Sequence, residues 1–373
     1  MVRGFCVRFG AVPMVAVTVM TACGPDFAPS YLLTQERVLA VRAEPPEAGP
    51  GEVVLLTPLV AGPNGIASGD VTASLRWWRC DDEVDLASTD EPTCSAASRK
   101  DVLGTGGTFA TTWTAAEVPT PPFEEGTGFA IAADQPLDDA LLHALSGYQQ
   151  KVGASLQNNA GLVVDTIKRI VVFPYDEPIS KLDQRLAAID IRLEEDGALG
   201  RNENPRLEGV EVREGTADGP LVDEILGGQS YWLRPTYDAS SLQVYKVLTL
   251  QTDGLALDDP ASLDELTGEQ LLSHLRTEAR CEVPAFSWYV TAGVLQSEGS
   301  VDEQVLLGAF AERGLSCPPL PSVARRPEVR FTAPEATASG APSVVHGFVV
   351  MRDGRGGTDF FAFDLPLAES GAP

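Results

Sequence analysis

Hydrophobic residues occur along most of this chain in short runs that turn residues separate. Several runs alternate apolar and polar positions, which is the period of a strand with one buried face. Gly-, Pro- and Asn-rich clusters such as Ala48–Gly51 and Pro63–Gly65 lie between them and favour turns. The pattern predicts a mainly β protein. The strands predicted in the first half are 37–43, 53–60, 75–80, 109–115, 128–132 and 167–173.

Two stretches depart from the strand pattern. Pro136 suits a first helical position, and apolar residues from Leu137 to Val152 follow at helical spacing, which predicts an amphipathic helix near 136–152. Thr267 and Gln270 have the spacing of a capping box, which predicts a short helix near 268–278. We interpret both as helical insertions in β-domains.

The chain divides into two units of domain size. Gly, Asn and Pro gather between Pro174 and Pro205, and such a composition is typical of a linker, which we place at 179–205. The predicted domains are 37–178 and 206–368, and 369–373 is a short tail.

The second unit repeats parts of the first in the same order, which indicates a duplication. The corresponding segments are Arg37-Val38 and Arg206-Leu207, Leu75–Trp78 and Phe286–Tyr289, Trp113–Ala115 and Phe331–Ala333, and Gly128–Ile131 and Gly347–Val350.

The N-terminus has the plan of a secretory signal. Arg3 and Arg8 are basic, and an apolar run from Phe9 to Met20 follows them. That run is shorter than the ~20 residues that a membrane-spanning helix needs. A plain signal peptide that happens to end near a cysteine is one interpretation of these residues.

Met20-Thr21-Ala22-Cys23 resembles the lipobox of bacterial lipoproteins. The resemblance implies that residues 1–22 are a signal peptide, that the Cys23 thiolate takes a lipid as a thioether, and that 23–36 is a spacer. Several acyl chains give stable membrane anchoring. Gly24, where inner-membrane lipoproteins carry Asp, implies the outer membrane, with periplasmic or surface exposure left open.

Charge and cysteine content agree with export. The chain has 27 basic and 53 acidic side chains, a net charge of −26, so we expect no nucleic-acid partner. Beyond Cys6 and Cys23, four cysteines remain, and an even number in an exported protein predicts disulfides. Three pairings are possible. We expect Cys80–Cys94 and Cys281–Cys317, because each closes a loop within one predicted domain.

The second unit also resembles immunoglobulin-like and PKD-like modules of bacterial surface lipoproteins. The residues that carry the likeness are Trp288 on a central strand, Gly293, Phe331–Pro334 and the Asp353-Gly354 hairpin. The resemblance covers most of 206–367 and, more loosely, 37–173. It implies two immunoglobulin-like β-sandwiches with Trp77 and Trp288 in their cores.

No motif with a catalytic mechanism occurs in the sequence, so we expect no enzyme and no catalytic residues. Asp81, Asp82, Glu83 and Asp85 share one loop and are a weak candidate for a Ca²⁺ site, against the commoner solvated acidic loop. We expect no other cofactor or metal.

The sequence therefore favours a non-enzymatic, lipid-anchored protein of the bacterial cell envelope with a structural or binding role in adhesion or assembly. Its expected partners are the membrane, through the lipid, and an envelope protein or glycan. One alternative is an accessory subunit of an envelope secretion or transport complex that docks a basic partner. Another is a glycan hydrolase with a carboxylate pair.

Overall fold

A computed structural model describes most of the predicted β-domains. The described residues are 29–49, 51–80, 94, 99–103, 111–114, 148–157, 163–172, 202–250, 275–314, 317, 323–335 and 342–368. Predictions for the signal peptide, Cys23, Asp81, Asp82, Glu83, Asp85, strand 128–132 and the tail lie outside these residues.

Strands predominate among the described residues, as the alternating pattern predicted. In chain order they are β1 (Arg37–Glu44), β2 (Glu47–Ala48), β3 (Val53–Gly62), β4 (Gly65–Ile66), β5 (Arg76–Cys80), β6 (Arg99–Leu103), β7 (Thr111–Thr114), β8 (Tyr148–Gln157), β9 (Val163–Val172), β10 (Arg206–Glu214), β11 (Ile225–Leu226), β12 (Ser230–Asp238), β13 (Val244–Leu250), β14 (Leu275–Cys281), β15 (Ala285–Val290), β16 (Val294–Leu295), β17 (Gly299–Val301), β18 (Val329–Thr332), β19 (Val344–Arg352) and β20 (Thr358–Ala368). The helices described are short: α1 (Gly69–Ala73), α2 (Gln304–Leu307), α3 (Ala309–Glu312) and a 3₁₀ turn (Ala239–Ser241).

The strands form four main sheets. Sheet 1 has the order β2-β9-β8-β5-β6, and sheet 2 has β1-β3-β4 with β7 also paired to β3. Sheet 3 has the order β11-β20-β19-β15-β17, and sheet 4 has β10-β12-β18-β16. A separate hairpin joins β13 to β14.

Three apolar clusters lie between successive sheets, so the sheets stack in numerical order. Sheets 1 and 2 enclose the core around Trp77, and sheets 3 and 4 enclose the core around Trp288. These are the two sandwiches, and both tryptophans are buried, as the resemblance implied. A third cluster joins sheet 2 to sheet 3. Consequently β19, in the middle of sheet 3, is apolar on both faces and buried from Gly347 to Met351.

The two sandwiches share one topology. Sheets 1 and 3 each begin with a short strand in parallel pairing, β2 on β9 and β11 on β20. The pairing of β1 with β3 shifts register between Val38 and Ala40, and that of β10 with β12 shifts between Leu207 and Gly209. A β-bulge at the same step of both units supports the duplication that the sequence indicated.

Three of the four predicted correspondences fall at equivalent positions. Arg37 pairs with Ala61 just as Arg206 pairs with Asp238, and β7 pairs with β3 as β18 pairs with β12. The fourth correspondence is wrong. The strand in the position of β19 is β8, not Gly128–Ile131, since β8 lies between β9 and β5 as β19 lies between β20 and β15.

Both helical insertions were predicted to extend too far. Residues 148–152 belong to β8, where each pairs with β9. The apolar spacing there also fits a strand, since Gln150, Val152 and Ala154 face inward at a period of two. Residues 275–278, the end of the second predicted helix, pair with β13 in β14. In both places cross-strand hydrogen bonding prevails over local helical spacing.

The predicted spacer and linker are also partly built into the fold. Leu33 is only 1% exposed, although 23–36 was expected to be a polar spacer. Asn202 and Asn204 are buried at the end of the predicted linker, because their amides make hydrogen bonds to both sandwiches.

Candidate functional site: the seam between the sandwiches

An apolar layer joins sheet 2 to sheet 3, and we call this layer the seam. Its buried residues are Leu33, Leu39, Ala40, Leu59, Ala61, Phe348 and Val350. Tyr289, Phe360 and Ala362 pack against them and are partly buried. Side chains of both sandwiches interdigitate here as they do in a domain core, so the two units form one packed body.

The turn between β19 and β20 closes one end of the seam. We call this turn, together with Thr358 at the start of β20, the plug (residues 353–358). The Oδ1 atom of Asp353 accepts hydrogen bonds from the backbone N–H groups of Arg355, Gly356 and Gly357 at 2.7, 3.0 and 2.9 Å. A Cβ on Gly357 would lie 1.9 Å from the Asp353 carboxylate. The tight wrap around the carboxylate therefore requires glycine there.

Arg355 extends from the plug to carboxylates on both sandwiches. Its guanidinium lies 3.1 Å from Glu47 in β2 and 3.3 Å from Glu282, just after β14. It also donates to Gln243 at 3.0 Å and stacks over the Tyr245 ring, 4.6 Å from its centroid. A planar guanidinium can make all of these contacts at once, which lysine cannot.

Lys168 reaches the plug from β9 of the first sandwich. Its Nζ donates to the carbonyl of Gly356 and, at 2.9 Å, to Oγ1 of Thr358. Burial lowers the pKa of Lys168 from its ordinary value of 10.5 to about 8, with the nearby Asp353 carboxylate acting in the opposite direction. Two oxygens of the plug, the Gly356 carbonyl and the Thr358 hydroxyl, thus hold the lysine in place.

The pKa of Glu282 is shifted in the opposite direction to that of Lys168. Burial, and then the charge of Asp353, raise its pKa from the ordinary 4.5 to about 8. Its Oε2 accepts the backbone N–H of Gln243 at 2.8 Å. A carboxyl group that binds a proton near neutral pH therefore lies against the plug, where it contacts Arg355.

Asn202 joins the plug to the first sandwich by two bonds. Its Nδ2 donates to Oδ2 of Asp353 at 2.8 Å, and its backbone N–H donates to Oε2 of Glu47 at 2.9 Å. The second bond crosses between the predicted linker and the first sandwich, so the end of that linker is part of the seam.

A groove opens at the other end of the seam, with a volume of about 190 Å³. Its walls come from both sandwiches and are formed by Ile66, His346, Phe348, Ala362, Phe363 and Asp364. Nδ1 of His346 lies 2.7 Å from Oδ1 of Asp364, and the Ile66 side chain is 62% exposed. An apolar surface beside a His–Asp pair suits a ligand with an apolar group and a hydrogen-bonding or cationic group.

Both predicted disulfides are present and lie outside the seam. The structure contains the Cys80–Cys94 and Cys281–Cys317 disulfides, with Cα–Cα distances of 5.9 and 5.5 Å. Cys94, Cys80 and Trp78 pack together on the outer face of sheet 1.

The candidate Ca²⁺ residues lie outside the described ranges. Among described residues, no three metal-ligating side chains gather, and no helix is long and apolar enough to span a bilayer.

Sequence reasoning missed the polar residues of the seam. Lys168 gave the clearest available signal, because it shares the inward face of β9 with Ile170 and Val172. A lysine at a core-facing position is rare unless it has buried partners. The Asp353–Gly357 turn was identified, but only as a turn. Glu47 and Glu282 carried no local signal, since their partners lie far away in the chain.

Comparisons with known proteins show only distant structural likeness. No protein-family model matches the chain, and no curated protein sequence matches it. Dimeric latent PorU from Porphyromonas gingivalis is 8% identical, with a TM-score of 0.20, over 92% of this chain and 25% of that one. This chain thus spans a quarter of the PorU chain.

Two further solved structures are similarly distant. The four N-terminal immunoglobulin domains of Dscam1 isoform 1.9 match at 9% identity and a TM-score of 0.15, over 90% of this chain and 78% of that one. Protocadherin Gamma B2 cadherin domains 3–6 match at 10% identity and a TM-score of 0.14, over 91% and 78% of the chains. The strands of the described residues show a mainly β protein. The similarity to immunoglobulin-like and cadherin domains is weak and carries no argument about fold or function.

Proposed function

We propose that this protein is a lipid-anchored component of the bacterial cell envelope whose two β-sandwiches act together in binding or assembly, without catalysis. The proposed anchor is Cys23. Two disulfides support a location in an oxidising compartment outside the cytoplasm.

The observation that carries the proposal is the arrangement of the charged groups around the plug at the end of the seam. Glu47, Glu282 and Asp353 gather around Arg355, as the carboxylates of a glycosidase gather around its substrate, but all three are buried. Their bonds go to backbone N–H groups, asparagine and arginine of the same chain. A glycan cannot reach them, so this cluster supports a rigid two-sandwich body rather than a hydrolase.

Lipid labelling tests the anchor. The full chain, expressed in a Gram-negative host with an alkyne-palmitate analogue, should carry the label and leave the membrane fraction only with detergent. Cys23→Ser should be unlabelled and should leave without detergent. Wild-type protein that lacks the label and washes off the membrane would overturn the proposal.

Photocrosslinking in intact cells tests the binding role. A crosslinking residue at Ile66, in the groove, should give a discrete adduct, whereas one at Val323, which is 82% exposed and outside the groove, should not. Adducts of equal yield at both positions would contradict a groove-directed binding role. A single stoichiometric inner-envelope partner would instead favour the accessory-subunit alternative.

A further inference from the structure

We infer that residues 30–33 form a strap that fixes the lipid-bearing N-terminus to the groove end of the sheet stack, so that this end faces the membrane. The inference rests on the proposed lipidation of Cys23 and goes beyond it. A lipid on a free spacer would leave the orientation of the body undetermined.

The strap pairs with β15 of the second sandwich before the chain enters the first. The N–H of Leu33 donates to the carbonyl of Val290 at 2.9 Å, and the N–H of Val290 donates to the carbonyl of Tyr31 at 3.0 Å. Leu32 and Val290 form a parallel bridge. The strap thus extends the edge of sheet 3, beyond the point where β17 ends its pairing with Ser287.

Apolar burial holds the strap from both sides. Leu33 belongs to the seam and contacts residues of both sandwiches, while Tyr31 and Leu32 pack against the core of the second sandwich. Burying a leucine contributes about 1.5–3 kcal/mol. The strap is therefore a third component of the seam, not a loose leader.

Polar contacts fix the two ends of the strap. The Ser30 hydroxyl donates to the carboxylate of Glu298, and the guanidinium of Arg37 donates to the carbonyl of Ser30. The same guanidinium lies over the Tyr289 ring, 5.2 Å from its centroid. The chain is thereby held against the second sandwich from Ser30 to Arg37.

The strand register shows at which end of the stack this happens. Val290, which bonds to the strap, pairs with Gly347, and Gly347 is next to His346 of the groove. Arg37, just after the strap, pairs with Ala61, which pairs with Ile66 of the groove. The strap therefore lies at the groove end. We call this the anchor end.

Glu44 pairs with Leu55 at the opposite end, next to the plug, and Val53 lies two residues further on. Eight residues along β3 separate Val53 from Ala61, or roughly 27 Å.

The tether is no longer than this part of the sheet. Ser30 follows Cys23 by seven positions, and the chain between them can span at most ~25 Å. The anchor end therefore stays within that distance of the bilayer. Without residues 1–22 the chain has 25 basic and 53 acidic side chains, and this net charge of −28 opposes lying flat on anionic lipid, which leaves the plug end directed away.

Fluorescence quenching on vesicles tests the orientation. Ile66→Cys and Val53→Cys are suitable label sites, because these side chains are 62% and 57% exposed and face the same side of sheet 2. Each lipidated full-length variant would carry an NBD label in vesicles of phosphatidylcholine and anionic phosphatidylglycerol with nitroxide headgroups. We expect at least twofold stronger quenching at position 66 than at position 53. Equal quenching, or stronger quenching at position 53, would overturn the inference.

A lengthened tether is the matched control. A flexible 20-residue Gly/Ser insertion between Asp26 and Phe27 adds roughly 25 Å of reach and should abolish the quenching difference without affecting palmitate labelling. A difference that persists would overturn the role of the strap.

Loss of palmitate labelling would contradict the proposed lipidation of Cys23, and it would not bear on the strap. The strap itself is then measured by amide hydrogen exchange in soluble Cys23→Ser. Strong protection of the Leu33 amide is expected, and exchange as fast as in an unfolded chain would disprove the strap.

Discussion

Asn204 bridges the backbones of both sandwiches, since its Oδ1 accepts a hydrogen bond from the N–H of Thr358 at 2.8 Å while its Nδ2 donates to the carbonyl of Ala43 at 2.6 Å. Nδ2 also lies 2.9 Å from Oε2 of Glu44. One amide thus satisfies a donor in sheet 3 and an acceptor in sheet 2. It lies where the chain passes from the first sandwich to the second.

Asn204→Ala should therefore destabilise the protein strongly. It leaves the N–H of Thr358 and the carbonyl of Ala43 buried without this partner, and each such loss costs ~1–3 kcal/mol. Urea unfolding should show a decrease of at least about 2 kcal/mol. Asn64→Ala, at an exposed turn position, is the control and should stay within ~0.5 kcal/mol of wild type. Equal effects of the two substitutions would contradict the bridging role.

Glu282 should make stability depend on pH. Its pKa is about 8 in the folded protein and near 4.5 when unfolded, so the folded state binds more protons between these values. Its contribution is complete below pH 4.5 and is lost as the pH rises through 8.

Glu282→Gln should remove this slope, which we expect to be at least about 1 kcal/mol between pH 5 and 8. Urea midpoints at pH 5, 6.5 and 8 measure it. Glu312→Gln, at an exposed position of α3, should keep the wild-type slope. An unchanged slope in the Glu282 variant would assign the pH dependence to other groups.

Leu33→Ala should show that the strap belongs to the core. Removing a leucine that is 1% exposed creates a cavity and should cost ~2–4 kcal/mol. Calorimetry should show a lower melting temperature. Ile66→Ala removes a similar side chain that is 62% exposed and should change stability by less than ~0.5 kcal/mol. If the leucine variant melted like wild type, Leu33 would not be a structural residue.

The two disulfides should contribute unequally. Cys281–Cys317 closes a loop of 36 residues and Cys80–Cys94 one of 14. Loop-closure entropy then gives about 4 and about 3 kcal/mol, respectively. Double alanine variants of each pair, unfolded in urea without reductant, compare the two losses. A larger loss for the shorter loop would show that contacts of the cysteines, and not loop length, determine the order.

Local pattern was sufficient to predict several of the strands, and the resemblance to immunoglobulin-like modules implied the two-sandwich plan. Alternation predicted β1, β3 and β5 closely, and the tryptophan of each unit was expected in its core, where Trp77 and Trp288 lie. At 148–152 the same pattern predicted a helix instead of β8. Apolar residues four positions apart share one face of a helix, but they also share one face of a strand.

The seam was beyond the reach of sequence reasoning for a physical reason. Several of its hydrogen bonds join residues more than 150 positions apart, such as Asn202 to Asp353 and Glu47 to Arg355. No local periodicity encodes such a distance. The apolar run Val38–Val41 signalled burial, but it could not show that Leu39 faces a second sandwich while Val38 faces its own.

The order of the four sheets makes the outer face of sheet 4 equivalent to the face of sheet 2 that forms the seam. Sheet 3 is the counterpart of sheet 1, so the units stack head to tail, and a head-to-tail contact that does not close can grow into a fibre. The face that would accept a third unit is the outer face of sheet 4. There Glu208, Thr236 and Asp238 occupy the positions that Leu39, Leu59 and Ala61 fill at the seam. Polar side chains at those positions give this face no apolar layer like the one at the seam, as the polar outer faces of terminal repeats do in a solenoid.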